Sequence, residues 1–554
     1  MAFGAWQLQH GGSHSMVSGT VTSRSPLTPV LPNISIIVIL MAVTFATRAL
    51  FRYHGGMGDP DQVVMAAGMA RWFSPDVRFG DIFLYGRQLN PGIYFVFRLL
   101  YPLLFDTPLH VMAFLNWLGV ASAALLAWPL YLVFGKYFDR GIAAGCTLLV
   151  VFSPLVWELG TYFHPVMTAT FFFLLAVLTW ERISLSGAGI LFYVLTLLLS
   201  AAAVIMRTEV LLVVPALFVW TAFSSRRKRD VFLLCSLLIF VAGIYLAVLL
   251  SVASATTVTF RGLPEYLRSF TEMYRGTVSV AGVSRTIVWA AMGVGIATVL
   301  LAVIGPWRSF LRSSREGIPT SGKSLRGFIV VLVWILPTLI LWLLWPVPIL
   351  RHYFLIVPAA SWLVGDNILR RLRSVRATAV VITLVLCNLG VPEVLYRAYN
   401  ATHPGSRKEP HGTFFYYHER VTEKISRNHR LQREIVALMD GGRPDKAPGL
   451  YPGALVPVDW ESYGYLLYGM ARTMRLEKLS ETAPVQDLYL HRYSLGGIEI
   501  RLAFSSRFGT EAVRQVLLSE IEKAAGEGFA IYMPEELIRS GIISGINGFS
   551  FIKY

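Results

Sequence analysis

The sequence predicts a polytopic α-helical membrane protein, with helices lying in the interface in its first outer loop and a soluble α/β domain at its carboxyl end. Of its 554 residues, 55% are hydrophobic and only 15% are charged, whereas about 25% are charged in an average soluble domain. The apolar residues are gathered in runs near the ~20 residues that a bilayer crossing needs. Helices are expected there because lipid offers no partner for backbone polar groups.

The apolar runs predict about eleven transmembrane helices within residues 34–392, although several runs are short for a full crossing. Residues 1–33 are rich in Gly, Ser, Thr and Pro and contain no continuous apolar core, so they predict a disordered cytoplasmic tail and not a signal peptide. The runs lie at 34–51, 108–134, 141–157, 165–180, 188–206, 209–223, 231–253, 286–306, 327–349, 353–366 and 377–392.

The basic residues predict the orientation of these spans. The net charge of +16 is concentrated in short loops between apolar runs, such as "RRKR" (226–229) and "RRLRSVR" (370–376). Cytoplasmic loops carry such clusters in membrane proteins, so this pattern indicates topology and not nucleic-acid binding. With a cytoplasmic amino terminus, the loop 52–107 and the domain 393–554 lie outside. We therefore expect a multi-pass protein of the cell membrane.

The domain 393–554 differs in composition from the rest of the chain. Segments such as "GGIEIRLAF" and "GFAIYMP" predict strands, and "GTEAVRQVLLSEIEKAAGEG" has helical periodicity followed by a glycine stop. This pattern predicts the soluble α/β domain.

The first outer loop, 52–107, carries two carboxylates in "GDPDQ", Asp59 and Asp61. Two short apolar and aromatic stretches follow, "DQVVMAAGMARWF" and "NPGIYFVFRLLYPLLF", which predict helices lying in the membrane interface. A loop that lies against the membrane and carries acids favours a reaction on a lipid-linked substrate.

These features resemble the GT-C superfamily of polyprenyl-phosphate-sugar glycosyltransferases, which includes protein O-mannosyltransferases and the lipid A aminoarabinose transferase. The resemblance covers residues 35–392 and departs from the family at one position, since Gln62 follows Asp61 where the family usually has Asp-Glu. It rests on "GDPDQVVMAAGMARWF", "SPLVWELGTYFHPVMTATFFFLLAVL", "RTEVLLVVPALFVW" and "RHYFLIVPAASWLVG".

The resemblance implies an inverting transfer of a sugar, on the outer face, from a polyprenyl-phosphate donor to a glycan, lipid or protein acceptor. An acceptor hydroxyl attacks the anomeric carbon opposite the lipid phosphate, and a carboxylate can act as its general base. Cations offset the charge that develops on the leaving phosphate. The planar fork of arginine is suited to binding phosphate oxygens.

Three acids are candidates for the catalytic carboxylates. Asp61 occupies the acid position of the family and is the predicted base; the alternative is an exposed loop acid. Asp59 fits a helix N-cap, with Pro60 at the first helical position, and a catalytic or metal role is its alternative. An Asp-x-Asp pair can hold a divalent cation with a phosphate, so a divalent cation is the one candidate cofactor. Glu158 is predicted to orient the acceptor or Asp61, or to be an interfacial residue with water access.

Five residues are candidates for binding the donor phosphate. His164 ends a short outer loop, and the resemblance places Arg207 near the pocket, although Arg207 can instead pair with Glu209. At the outer end of the tenth predicted span, the resemblance implies that Arg351 contacts the lipid phosphate; its alternative is an interface anchor. The five residues are His164, Arg207, Arg351, His352 and Tyr353.

Two other functions compete with sugar transfer. A transporter or flippase for a lipid-linked or amphipathic solute is expected to show repeats or charges at mid-membrane, whereas here the acids lie at outer span ends. An assembly protein that binds a surface polymer leaves the acidic loop unexplained. The predicted partners are the polyprenyl-phosphate sugar donor, an unidentified acceptor and membrane lipids, without nucleic acid. The sequence contains no H-E-x-x-H motif.

Overall fold

The computed structural model shows helices in the membrane region and a strand domain at the carboxyl end. Most of the first outer loop and several predicted spans lie outside the residues that it describes. The described residues are 30–52, 62, 65–66, 69, 92–93, 111–186, 190–207, 210, 236, 239–240, 243, 280–304, 335, 354–402, 426, 430, 433, 452–458, 463, 466–467, 469–470, 476–485, 488–505, 508, 510–534, 537–538 and 551–553.

The described part of the membrane region is helical. Its helices are α1 (Val30–Phe51), α2 (Val111–Phe134), α3 (Arg140–Val151), α4 (Pro154–Thr161), α5 (Pro165–Ser186), α6 (Ile190–Met206), α7 (Val280–Val294), α8 (Ile356–Asn367) and α9 (Ser374–Thr402), with a 3-10 turn at Leu369–Arg371.

Among the described residues, α1, α2 and α9 are each long and apolar enough to cross a membrane, and α3 with α4 forms a fourth, bent candidate. Helices α5 and α6 contain shorter apolar stretches, Pro165–Trp180 and Ile190–Met206. The count of about eleven spans stays a prediction, because the runs 209–223, 231–253 and 327–349 lie almost entirely outside the described residues.

The prediction of one continuous helix over 141–157 is wrong, because two helices cover this run. Helix α3 ends at Val151, and α4 begins at Pro154 with a bend of 64° between the two. Proline has no backbone N–H and its ring clashes with the preceding turn, so a helix cannot run through it undisturbed. The Ser153 hydroxyl caps the new helix by accepting from the Val156 N–H at 3.4 Å. The break changes the direction of the eight residues of α4, which include Glu158.

Helix α9 runs to Thr402, ten residues beyond the apolar run that predicted it. An ion pair one turn apart, between Arg397 Nε and Glu393 Oε1 at 2.8 Å, lies in this extension. Helical hydrogen bonding therefore continues past the apolar stretch, because charged residues with this spacing support a helix as well as apolar ones do.

The strand domain contains one six-stranded mixed sheet and a helix. The strand order is β2-β3-β4-β1-β5-β6, with β1 parallel to both β4 and β5, and with β3 antiparallel to β2 and β4. The elements are β1 (Gly453–Val458), β2 (Leu476–Val485), β3 (Leu488–Leu495), β4 (Ile498–Ser505), α10 (Glu511–Gly526), β5 (Ala530–Met533) and β6 (Phe551–Lys553).

The central strand β1 is buried on both faces, and the two faces belong to different apolar clusters. Leu455 packs with Leu517 of α10, whereas Ala454 and Val456 belong to a cluster that also contains Met65 and Phe163 of the membrane region. Alternate residues of a strand point to opposite faces. One face of the sheet is thus covered by α10, and the other is continuous with the core of the helical region.

Candidate functional site

Three of the predicted site residues are buried where α4, α5 and α6 meet the loops at one end of the bundle. Glu158 lies in α4, His164 directly precedes α5, and Arg207 directly follows α6. Their exposed fractions are 7%, 1% and 6%. Buried ionisable residues at span ends are costly, and in membrane proteins they typically mark functional sites.

His164 and Arg207 contact each other. His164 Nε2 lies 3.3 Å from Arg207 Nη1, and His164 Nδ1 accepts the Val166 N–H at 3.3 Å. The second contact orients the ring at the start of α5. A guanidinium can only donate, so the contact of Nε2 with Arg207 Nη1 is a hydrogen bond in the tautomer whose Nε2 accepts. In either tautomer the Arg207 guanidinium lies beside the ring, and a guanidinium suits an anionic oxygen such as that of a phosphate.

A buried amide pair connects the first outer loop to the same region. Gln62 Nε2 donates to Asn116 Oδ1 of α2 at 2.6 Å, and both residues are fully buried. One turn further along α2, Gly119 packs so closely against the Tyr162 carbonyl that a Cβ would overlap it. Gln62 is thereby held close to the loop that joins Glu158 to His164. A neutral amide is compatible with such burial, whereas a buried charge is costly unless it is paired.

Arg48, near the end of α1, contacts residues on both sides of the break between α3 and α4. Its Nη2 donates to the Val151 carbonyl, and its guanidinium lies 3.9 Å from the Trp157 ring centre and 5.1 Å from that of Phe152. Gly160 makes this packing possible, because a Cβ there would lie 3.0 Å from Arg48 Nε. Trp157 precedes Glu158 directly, so Arg48 helps to fix the helix that carries this acid.

Arg48 and Asn116 were not among the residues predicted from the sequence. Each has a signal there, since Arg48 is a cation in the apolar run 34–51 and Asn116 is an amide in the run 108–134. A polar residue within a span is a functional hypothesis by default. Their partners could not be predicted, because Val151 lies 103 residues from Arg48 and Gln62 lies 54 residues from Asn116.

The other predicted site residues lie outside the described residues, so their placement stays a prediction: Asp59, Asp61, Arg351, His352 and Tyr353, together with Glu209, the alternative partner of Arg207. Within the part of the chain that the structure describes, no group of three or more His, Cys, Asp or Glu residues could hold a metal ion.

No protein-family model matches the chain, and no curated protein matches its sequence. Solved structures are similar to it. The crystal structure of ArnT from Cupriavidus metallidurans bound to undecaprenyl phosphate has 13% identity and a TM-score of 0.44, over 81% of this chain and 76% of that chain.

The Archaeoglobus fulgidus oligosaccharyltransferase is similar as well. Its complex with Zn and sulfate has 13% identity and a TM-score of 0.47, over 79% of this chain and 61% of that chain. Its form tethered to an acceptor peptide containing the NVT sequon has 14% identity and a TM-score of 0.44, over 79% and 63% of the two chains. This chain thus spans less than two thirds of the oligosaccharyltransferase. At such identities and TM-scores, a functional conclusion depends on the residues of this chain.

Proposed function

We propose that this protein is an inverting glycosyltransferase that moves a sugar from a polyprenyl-phosphate donor to an acceptor on the outer face of the membrane. The observation that carries the proposal is the buried contact of His164 with Arg207, close to Glu158, at the end of the helical bundle where the first outer loop docks through Gln62. The motifs that resemble the GT-C superfamily lie in these same segments.

The donor phosphate is bound by Arg207 together with His164. Arg207 supplies a permanent positive charge, and the His164 ring, which the Val166 contact orients, lies 3.3 Å from it. As the bond between the anomeric carbon and the phosphate oxygen breaks, its electron pair leaves with the polyprenyl phosphate, and these side chains stabilise that charge. We assign Arg351, His352 and Tyr353 to the same phosphate, as the resemblance implies for Arg351.

Asp61 accepts the proton of the acceptor hydroxyl while the acceptor oxygen bonds to the anomeric carbon. Two features support this role: Asp61 occupies the acid position of the superfamily, and Gln62, the next residue, is buried beside α2. Asp59 caps the helix that follows, and Glu158 orients the acceptor or Asp61. Since Gln62 replaces the usual second acid, we assign the orienting role to Glu158, a buried carboxylate of α4.

The replacement Asp61→Asn tests the assignment of the base. It keeps the size of the side chain and removes its ability to accept a proton, so transfer is expected to fall by at least ~100-fold. Binding of the polyprenyl-phosphate sugar is expected to stay within about twofold, because Asp61 does not bind the phosphate. Turnover and donor affinity are measured on the purified full-length protein in lipid nanodiscs. Full activity in Asp61→Asn contradicts the assignment.

A divalent cation held by Asp59 and Asp61 is the alternative to a helix cap and a base that act without metal. Turnover with and without a chelator tests it, and Asp59→Asn serves as the matched variant. If turnover is unchanged by chelation, the pair holds no catalytic metal and Asp59 acts as a helix cap. If turnover is lost and is restored by added Mg²⁺ or Mn²⁺, Asp59 and Asp61 bind the phosphate of the donor through the cation.

A transporter or flippase is the second candidate, and the break between α3 and α4 favours it, because discontinuous helices often form substrate sites in transporters. Proteoliposomes loaded with the lipid-linked sugar distinguish the two functions. The enzyme forms a new glycosidic bond and leaves free polyprenyl phosphate, whereas a transporter moves the intact lipid between leaflets. Translocation without any product contradicts the proposed transfer reaction.

A further inference from the structure

A large cavity lies at the end of the bundle opposite to His164 and Arg207. It has a volume of about 1610 Å³ and lies between the last turns of α2 and α5 and the first turns of α6. Helices α2 and α5 begin near the candidate active site and end at this cavity, so the two sites are separated by the length of the helices. The volume exceeds the ~1,000 Å³ that usually bounds a small-molecule pocket.

The walls of the cavity are apolar. Leu175 and Leu178 of α5 line it together with Leu195 and Leu199 of α6. Three polar wall groups are paired within the protein: the Thr179 hydroxyl accepts that of Thr196 at 2.8 Å, and the Tyr131 hydroxyl donates to Asn33 Oδ1 at 3.2 Å. A surface of this kind accommodates hydrocarbon chains and offers little to a polar solute.

The mouth of the cavity is basic. Lys136, Arg140 and Arg182 line it together with one acid, Asp139, which gives a net charge of +2. The acid is engaged as the N-cap of α3, because Asp139 Oδ1 accepts the Ile142 N–H at 3.0 Å. The Arg182 guanidinium lies 5.3 Å from the ring centre of Phe192, another wall residue.

The mouth joins loops that the sequence predicts to be cytoplasmic. Lys136 belongs to the loop 135–140, and Arg182 belongs to the loop 181–187. A third basic loop, 367–376, lies at the same end, since Arg370 Nη2 donates to the Tyr137 carbonyl at 2.7 Å. The cytoplasmic leaflet is rich in anionic lipids, and basic pockets between transmembrane helices on that side bind anionic head groups.

We propose that this cavity binds an anionic phospholipid of the cytoplasmic leaflet. Its acyl chains lie between α2, α5 and α6, and its phosphate contacts Lys136, Arg140 and Arg182. The combination of an apolar interior with a net positive mouth matches a lipid that has long chains and an anionic head. This site is separate from the one proposed for sugar transfer, and the proposal does not depend on that function.

The test is lipid binding by the full-length protein in detergent, measured by native mass spectrometry with phosphatidylglycerol, phosphatidylcholine and a polyprenyl monophosphate as probes. The double variant Lys136→Gln/Arg182→Gln removes two charges from the mouth. Affinity for phosphatidylglycerol is expected to fall about thirtyfold, which corresponds to ~2 kcal/mol. The control is Arg373→Gln/Arg376→Gln, which removes two exposed charges at the same end without altering the cavity, and it is expected to change the affinity by less than about threefold.

A second variant keeps every charge. Leu195→Trp narrows the cavity and is expected to weaken phosphatidylglycerol binding while thermal stability stays near that of the wild type. If the two double variants lose phosphatidylglycerol affinity equally, only the surface charge matters and the proposal is overturned. It is also overturned if phosphatidylcholine binds as tightly as phosphatidylglycerol, or if Lys136→Gln/Arg182→Gln weakens the binding of the polyprenyl monophosphate alone.

Discussion

At the scale of single residues, the candidate site combines side chains that the sequence could place and side chains that it could not. Glu158, His164 and Arg207 stand at the ends of apolar runs, where an ionisable residue is conspicuous. Their burial confirms that they are not ordinary surface charges. The contact between His164 and Arg207 depends on the packing of α5 against α6, which is a tertiary feature that no local pattern encodes.

Replacing Arg207 tests the phosphate site. Arg207→Gln removes a charged donor from a buried position, and such hydrogen bonds contribute ~1.5–3 kcal/mol. The affinity for the polyprenyl-phosphate sugar is therefore expected to fall by roughly 10- to 150-fold. Arg207→Lys restores the charge without the planar fork and is expected to recover part of this loss.

The control for this experiment is Arg376→Gln, which removes an exposed arginine at the other end of the bundle. Donor affinity is measured by titration of the full-length protein in nanodiscs. Unchanged affinity in Arg207→Gln, or an equal loss in Arg376→Gln, contradicts the role assigned to Arg207.

At the scale of elements, close packing fixes the position of the site. Gly119 lets α2 approach the loop that follows α4, because a Cβ at this position would overlap the Tyr162 carbonyl. The same stretch of α2 holds Gln62 through Asn116. The sequence predicts a helix here, but it does not show which glycine makes a contact, since both α2 and α9 contain glycines within apolar runs.

Gly119→Ala is expected to destabilise the protein by ~1–3 kcal/mol, because an added methyl group in a closely packed contact forces the neighbouring backbone to move. Gly390→Ala in α9 is the matched control: among the described residues, no atom beyond the nearby backbone of its own helix lies within 4 Å of its Cβ position, and alanine favours a helix more than glycine does. Thermal unfolding of the two variants in detergent measures the difference. A Gly119→Ala variant as stable as Gly390→Ala rules out the tight contact.

The sheet of the strand domain carries an ion-pair network that responds to pH. Hydrogen bonds from the Arg492 guanidinium, supported by Arg501, lower the pKa of Glu499 from 4.5 to about 2. A carboxyl group whose pKa is lower in the folded state stabilises that state above its unfolded pKa. This contribution is present above about pH 5 and is lost as the pH falls through 4.5 towards 2.

In Glu499→Gln, the free energy needed to open β3 and β4 is therefore expected to be lower by ~1–2 kcal/mol at pH 7. This difference from the wild type is expected to shrink towards pH 2. Glu511→Gln is the control, because the Glu511 side chain is 69% exposed and its nearest cation, Arg514, is 3.7 Å away. Hydrogen exchange of the β3 and β4 amides, compared between variants at each pH, gives the measurement. A difference that does not vary with pH argues against this pKa shift.

At the scale of the whole molecule, sequence composition predicted the class of protein, because long apolar runs leave few alternatives to membrane helices. The strands at 498–505 and 530–533 and the helix at 511–526 confirm the prediction of a carboxyl-terminal domain with strands. The break at Ser153 and Pro154 was not predicted, since apolar residues continue on both sides of it. The arrangement of the sheet is equally absent from local patterns, because β1 pairs with β4 and β5, which lie far along the chain.

The proposed sidedness of the molecule is tested by labelling single cysteines in intact cells. In a background without Cys146, Cys235 and Cys387, Glu511→Cys in the strand domain is expected to react with a membrane-impermeant thiol reagent. Arg373→Cys, in the basic loop after α8, is expected to react only after the cells are permeabilised. Labelling of both positions from the same side contradicts the topology on which the outer-face reaction depends.

The most direct test of the central claim is the identity of the lipid that copurifies with the protein, determined by mass spectrometry. A glycosyltransferase of this type is expected to retain a polyprenyl phosphate, with or without its sugar, and Arg207→Gln is expected to retain much less of it at equal protein yield. Phospholipids held at the opposite end of the bundle do not interfere, because their masses differ from those of polyprenyl phosphates. If the wild-type protein carries phospholipids alone and does not take up an added polyprenyl-phosphate sugar, the account of its function is contradicted.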